Sequence, residues 1–337
     1  MKTIKYCCHK KSDKKTIYKK MNYKNAIFYM LTVIVFLGIM VIIMYTYKSY
    51  SMMNRQESLE IRIRSMNDFI NDFNNDVHRS TRISATRALI ALEDHVSISG
   101  QYFNSLDEFR SAFKETFYYG SINGTNHSLM KDSSFKDYEN KVSANAKNIG
   151  MNFFINVSNI QLEQDDPWNV LIIIDAQVKL NDSSKLAYWD FNESFVTEVP
   201  IIGLRDPLYS INTFGRVQNT IRQANTTIFV EGTNTSMLLS HVNNGYYIES
   251  VSAPSFLMRF YNNISSSPQG IESLVNIREL NDQGLTIYIS RPVVDYKYFS
   301  GAYTADVCNI QNMPDWFKLE VSDLNNYDLG GLNYTTC

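Results

Sequence analysis

The chain has 337 residues, 44% of them hydrophobic and 20% charged, with a formal net charge of −2. That near-neutral total hides an asymmetry: residues 1–24 hold nine lysines against the single acid Asp13, a net of +8, so everything after Lys24 carries about −10. An acidic remainder excludes a broad nucleic-acid surface, and no nucleic-acid partner is expected.

Residues 1–24 read as a basic cytoplasmic tail that keeps the N-terminus inside and touches anionic lipid. Cys7, Cys8 and His9 within it are zinc-type ligands, but adjacent positions rarely meet one metal tetrahedrally, so neither metal nor cofactor is expected. Residues 25–47 form a run of 23 uncharged residues between Lys24 and Lys48. As a helix the run spans about 34 Å, enough to cross a bilayer. It has no small-residue cleavage site and ends in "MYTYK", with Tyr45 and Tyr47 at the interface, so it reads as an uncleaved anchor.

Nothing forces a break after the anchor: the first proline is Pro167, and no glycine lies between Gly38 and Gly100. Residues 48–97 read as an amphipathic helical stalk. Leu59, Ile63, Met66, Ile70, Phe73 and Val77 recur at spacings of 4, 3, 4, 3 and 4, a stripe that must be covered. A second copy in a coiled coil, the chain's own sheet, or both would cover it.

Residues 98–204 read as two helices followed by a β-meander. Ser105 and Glu108 make a capping-box pattern before Leu106, Phe109, Phe113 and Phe117, and Gly120 stands at the C-terminal cap position. A second helix is expected from Phe135 to Ile149, with "SINGTNHSLMKDSS" between the two as a polar loop. The period then changes to two: Phe153, Ile155 and Val157 form one strand, and Val170, Ile172, Ile174, Ala176, Val178 and Leu180 form the buried face of the next. "NDSSK" is read as a hairpin turn into a third strand.

Residues 205–337 read as a second α+β portion. Asn244–Gly245 between apolar flanks predicts a two-residue hairpin turn. "GLTIYIS" and "DYKYFS" are expected strands, and "SSSPQGIESLVNI" is expected to contain a short helix. The fold class is therefore α+β: one N-terminal transmembrane helix extended into a stalk, then an ectodomain containing antiparallel sheet.

Cys308 and Cys337, the only cysteines outside the tail, are a predicted disulfide that ties down the C-terminal segment in an oxidising compartment. Asn123, Asn126, Asn156, Asn181, Asn192, Asn225, Asn234, Asn263 and Asn333 begin N-x-S/T triplets, all beyond residue 120, and are candidate glycosylation sites. The sequence holds no H-E-x-x-H, G-x-S-x-G, phosphate-loop or EF-hand pattern. Asp165 and Asp166 before Pro167 read as a polar loop, and His241 as a surface or strand residue. No enzymatic activity is expected, and no catalytic residue is assigned.

The lysine-rich leader, the apolar helix running on into an amphipathic one, and a sheet at its end resemble type IV pilins and minor pilins. "DPLYSINT" at 206–213, "HVNNGYYI" at 241–248, "APSFLMRF" at 253–260 and "SSPQGIESLVNI" at 266–277 resemble segments of single-pass, membrane-anchored archaeal proteins of uncharacterised function. The resemblance implies lineage and topology and transfers no functional residue. The chain departs from the pilin pattern in having no glycine before Gly38 and no acid between Asp13 and Glu57, which speaks against leader-peptidase processing. The expectation is a single-pass protein of the plasma membrane, C-terminal domain outside, with a structural or adhesive role at the cell surface. Its partners would be membrane lipid, further copies through the stalk, and other envelope or filament proteins. A minor pilin or pseudopilin is the alternative, and a surface hydrolase a distant one.

Overall fold

The computed structural model describes residues 23–304 and 306–330, apart from the side chains of 23–26, 54 and 55. The chain divides into two compact units, Met1–Arg64 and Ser65–Cys337. Helix α1 runs from Tyr23 to Ser99, 77 residues without proline. Among the described residues it is the one helix long and apolar enough to cross a membrane, with a window of mean hydropathy 2.9 and no buried residue in it. The two threonine hydroxyls in this apolar stretch are satisfied locally: Thr32 donates to the carbonyls of Phe28 and Tyr29, and Thr46 to those of Ile42 and Ile43.

In the second unit α1 becomes one wall of a core. Met66, Ile70, Phe73, Val77, Ala85, Leu89, Leu92 and Val96 are buried at helical spacing. Helix α2, Leu106–Tyr119, starts where the Ser105 side chain accepts from the Glu108 N–H and ends at Gly120, whose φ of 76° is left-handed. The Glu108 carboxylate takes the N–H of Asn104 rather than that of Ser105, so the capping box is closed on one side only. Strands β1 (Ser121–Ile122) and β2 (Thr125–Asn126) and a single 3-10 turn at Ser128–Met130 occupy the expected polar loop, and Met130 turns inward. Helix α3, Phe135–Asn148, carries a full capping box between Ser134 and Asp137.

Strands β3 (Met151–Asp166), β4 (Asn169–Asp182) and β5 (Tyr188–Pro200) form an antiparallel sheet in the order β3-β4-β5. Every even position of β4 from Val170 to Leu180 is buried, as its alternation predicts. In β3 the buried face passes from Met151, Phe153 and Ile155 to Ile160 and Leu162. The change of parity follows from the bulge between Val157 and Asn159, which inserts one extra residue. The sheet covers α1, with the Phe73 ring 4.9 Å from Phe153 and 5.6 Å from Phe195. Two outward carbonyls on its outer strands are taken up by helix side chains: Ser143 of α3 donates to Phe153 at 3.0 Å, and Arg82 of α1 to Glu198 at 3.2 Å.

The rest of the chain is built of short pieces. These are α4 (Pro207–Asn212), α5 (Ser236–Asn244), β6 (Tyr247–Glu249), a 3-10 helix at Leu257–Tyr261, β7 (Ile271–Ser273), α6 (Ile277–Asp282), α7 (Asp295–Ser300), β8 (Val307–Asn309), β9 (Lys318–Glu320) and a 3-10 helix at Val321–Tyr327. Strand β6 pairs with β7 and β8 with β9, both antiparallel. These pieces enclose a second hydrophobic cluster that includes Leu208, Leu238, Val275, Phe317, Leu319 and Tyr327.

Several expectations fail in this half. Asn244–Gly245 ends helix α5 instead of turning a hairpin: Gly245, at φ 60°, is a left-handed helix cap. "DYKYFS" is helix α7, and "GLTIYIS" carries no strand. Where "SSSPQGIESLVNI" was expected to hold a helix, Ile271–Ser273 is strand β7, and the helix begins at Ile277.

Candidate functional site

The four segments quoted for their resemblance meet around one buried guanidinium. Asp206 comes from "DPLYSINT", Tyr247 from "HVNNGYYI", Arg259 from "APSFLMRF" and Ser273 from "SSPQGIESLVNI". Arg259 donates to Asp206 Oδ2 at 2.6 Å, to Asp295 Oδ2 at 2.8 Å and to the carbonyl of Ile271, and all three charged side chains are wholly buried. Tyr247 donates to Asp206 at 2.8 Å, and the Ser273 hydroxyl to Asp295 at 3.0 Å. Asp206 is also the N-cap of α4, accepting from the Leu208 N–H. Burial raises the Asp206 carboxyl against the opposing pull of Arg259, and Asp295 adds to the rise.

A second buried cation stands nearby in the chain: Lys297 meets Asp323 Oδ1 at 2.6 Å and also pairs with Glu320. Glu272 is buried as well, holding the Asn326 amide at 3.2 Å, and its carboxyl is pushed up to about 7, mainly by burial. Asp206, Asp295, Arg259 and Glu272 are closed off from solvent and Lys297, Glu320 and Asp323 nearly so, and the pairs they make tie short elements together.

The residues singled out in the sequence are placed as follows. Within the α1 stripe, Met66, Ile70, Phe73 and Val77 are buried in the core against the chain's own sheet, Leu59 is half-buried, and Ile63 is 45% exposed. Asn123, Asn126, Asn156, Asn181, Asn192, Asn225 and Asn234 are exposed and Asn263 is half-buried, while Asn333 lies outside the described residues. Cys308 is buried and disulfide-bonded; Cys337 lies outside the described residues, as do Cys7, Cys8 and His9. Asp166 braces the β3–β4 turn, accepting from the Trp168 N–H at 2.8 Å and the Asn169 amide at 2.9 Å, while Asp165 is exposed. His241 is neither a strand nor a surface residue. It is buried in α5 beside Phe229 and Tyr327, and desolvation lowers its pKa to about 4, so the ring is neutral. Among the described residues no group of three His, Cys, Asp or Glu side chains is arranged to hold a metal ion.

The accessible concavities differ in charge. One of about 460 Å3 beside α1 and α3 mixes signs, with Asp76 and Asp132 facing Arg87 and Lys141. Another, of about 450 Å3, lies between the end of α4 and the loop preceding α7, with Arg216 and Arg291 on its wall and no carboxylate among its lining residues. The sequence signalled neither arginine, because their loops carry no motif.

Comparison with known proteins returns no matching family model, no similar curated protein and no similar solved structure.

Proposed function

We propose that the chain is a single-pass membrane protein, basic N-terminus inside, whose α+β portion stands outside the cell as a structural or adhesive surface module. The observation that carries this reading is the exposure of the apolar part of α1: Ile27 to Met44 is a continuous run of large apolar side chains at 50–70% exposure, broken only by Thr32 and Gly38, which water does not tolerate and a bilayer does. Three further features support it. The lysines of residues 1–24 favour retention inside, the disulfide at Cys308 suits an oxidising compartment, and seven of the candidate glycosylation asparagines are exposed.

The test is topological. In intact cells a membrane-impermeant maleimide should leave Cys7 and Cys8 unlabelled until the membrane is permeabilised, while external protease digests the α+β portion. Labelling of the tail in intact cells would overturn the orientation.

A pilin-like subunit is the second reading, favoured by the packing of a three-stranded antiparallel sheet on a helix that runs on from an apolar segment. It requires a mature chain that begins near Met21 to Lys24, which N-terminal sequencing of the membrane-extracted protein reads directly. Under either reading, association through the α1 stripe runs through Leu59 and Ile63, because Met66, Ile70, Phe73 and Val77 are occupied by the core.

A further inference from the structure

The concavity between α4 and α7 has the makings of an anion site. Arg291 is held on three sides: its guanidinium stacks on the Tyr288 ring at 3.8 Å, one nitrogen donates to the Tyr298 carbonyl at 2.7 Å, and Gly301 stands behind it. A Cβ at Gly301 would lie 3.4 Å from the guanidinium, an ordinary van der Waals contact, so the left-handed cap of α7 at φ 71° packs closely against the arginine. A guanidinium fixed in this way has lost its rotamer freedom before any ligand arrives. Among the described residues neither Arg291 nor Arg216 forms an ion pair, whereas Arg259 and Lys297 each hold two carboxylates. Two uncompensated cations sharing a cavity without a carboxylate stand out in a chain whose portion after Lys24 is acidic.

A further feature marks the same wall. Phe214 has a φ of 54°, in the left-handed region that a bulky side chain enters at a cost, and its ring is 70% exposed. Asparagine or glycine would fill that turn with less strain, so the aromatic face is what the position supplies. Hydroxyls and amides of Asn212, Thr286 and Ser300 complete the lining. Two separate guanidinium groups match a ligand with one or two negative charges. Aromatic faces set among hydroxyl and amide groups match the alternating apolar and hydroxylated faces of a sugar ring.

We propose that this cavity binds an acidic saccharide, with Arg291 receiving the carboxylate of a uronic-acid unit, Arg216 adding long-range attraction, and Phe214 stacking on the sugar ring. The assignment does not depend on the membrane topology proposed above. The cavity holds about one to two sugar units by volume, within the ordinary range of small-ligand sites.

Full-length protein in detergent is titrated calorimetrically with a glucuronate-containing disaccharide, with its neutral glucose counterpart and with sodium sulfate. Saturable binding of the acidic disaccharide alone is expected. Arg291→Gln should weaken it by at least about tenfold, as loss of a charge-assisted pair does. Arg216→Gln and Phe214→Ala should each weaken it by about three- to tenfold, and since both side chains are exposed these variants carry the test if Arg291→Gln does not fold. Equal binding of the neutral disaccharide, the absence of saturation, or unchanged affinity in a folded Arg291→Gln protein would overturn the proposal. Sulfate binding as tightly as the disaccharide would overturn the sugar assignment.

Discussion

The two hydrophobic clusters of the second unit are held by different means. The first lies among α1, two helices of 14 residues each and strands of 13 to 16 residues, and its contents are aromatic and aliphatic, from Phe109, Phe113 and Phe117 to the buried face of β4. The second is enclosed by helices of six to nine residues and strands of three, and most of the buried charges lie on these pieces, among them Asp206 before α4, Asp295 and Lys297 in α7, Glu320 in β9 and Asp323 after it, while the long elements bury Glu93 in α1 and Asp182 in β4. Long elements satisfy their own backbone and offer a continuous apolar face. Short ones leave a large share of terminal N–H and C=O groups unpaired and have too few side chains to fix one packing. Charged and hydroxyl side chains supply both needs there, Asp206 by capping α4 and pairing Arg259 at once.

The largest effect that sharpens this contrast is expected at the centre of the charge network. Arg259→Met leaves Asp206 and Asp295 buried without their cation and should lower the unfolding free energy by about 3–5 kcal/mol. In urea denaturation it should cost at least as much as Phe73→Ala in the first cluster, itself expected at about 3–5 kcal/mol from transfer and cavity terms. A loss under 1 kcal/mol at Arg259 would break the comparison.

Next comes Glu272. Its folded-state value of about 7 lies above the ordinary glutamate value of 4.5, chiefly through burial, so across that window the folded state holds the proton that the unfolded chain has released. Stability therefore falls as pH rises from about 4.5 to 7, and the full penalty, at most about 3 kcal/mol, is present above that range. Glu272→Gln should be more stable than the parent at about pH 8, with the difference closing toward about pH 4.5; urea midpoints at the two ends of the window measure it.

The smallest effect belongs to the first cluster. Ser134→Ala removes the capping box of α3 and should lower the thermal midpoint by an amount equivalent to about 1 kcal/mol, with little dependence on pH near neutrality.

What could be read in the sequence follows the same division. The helices at Leu106–Tyr119 and Phe135–Asn148 and strand β4 were legible because periodicity accumulates over a dozen residues and caps mark the ends, whereas β3 was read only at Phe153, Ile155 and Val157: the bulge after Val157 flips its alternation, and Asp165 and Asp166, read as loop, belong to the strand. The stripe from Leu59 to Val77 announced that it must be covered but not by what, since a partner helix and a sheet satisfy the same pattern. In the second half the signals were local and ambiguous. Asn244–Gly245 supplies a left-handed glycine, which a type I′ turn and a helix C-cap both require, and only the preceding contacts of α5 decide between them. "DYKYFS" alternates aromatic and polar residues like a strand, yet its six residues form a helix whose first residue, Asp295, is held by Arg259. Neither the buried network nor the arginine cavity was visible, because each assembles residues from segments tens of positions apart. The exposed triplet asparagines were found from their motif alone, a pattern that needs no tertiary information.

The two outer carbonyls of the three-stranded sheet carry a last consequence. A sheet with free edges is a template on which an extended segment of another chain can dock by completing the ladder. At Phe153 that ladder is stopped by the Ser143 hydroxyl, and at Glu198 by Arg82, while Asp190, Glu193 and Glu198 add negative charge along β5 before Pro200 ends it. Each edge is thus engaged at one carbonyl by a neighbouring helix, and a strand adding there would have to displace a hydrogen bond already made.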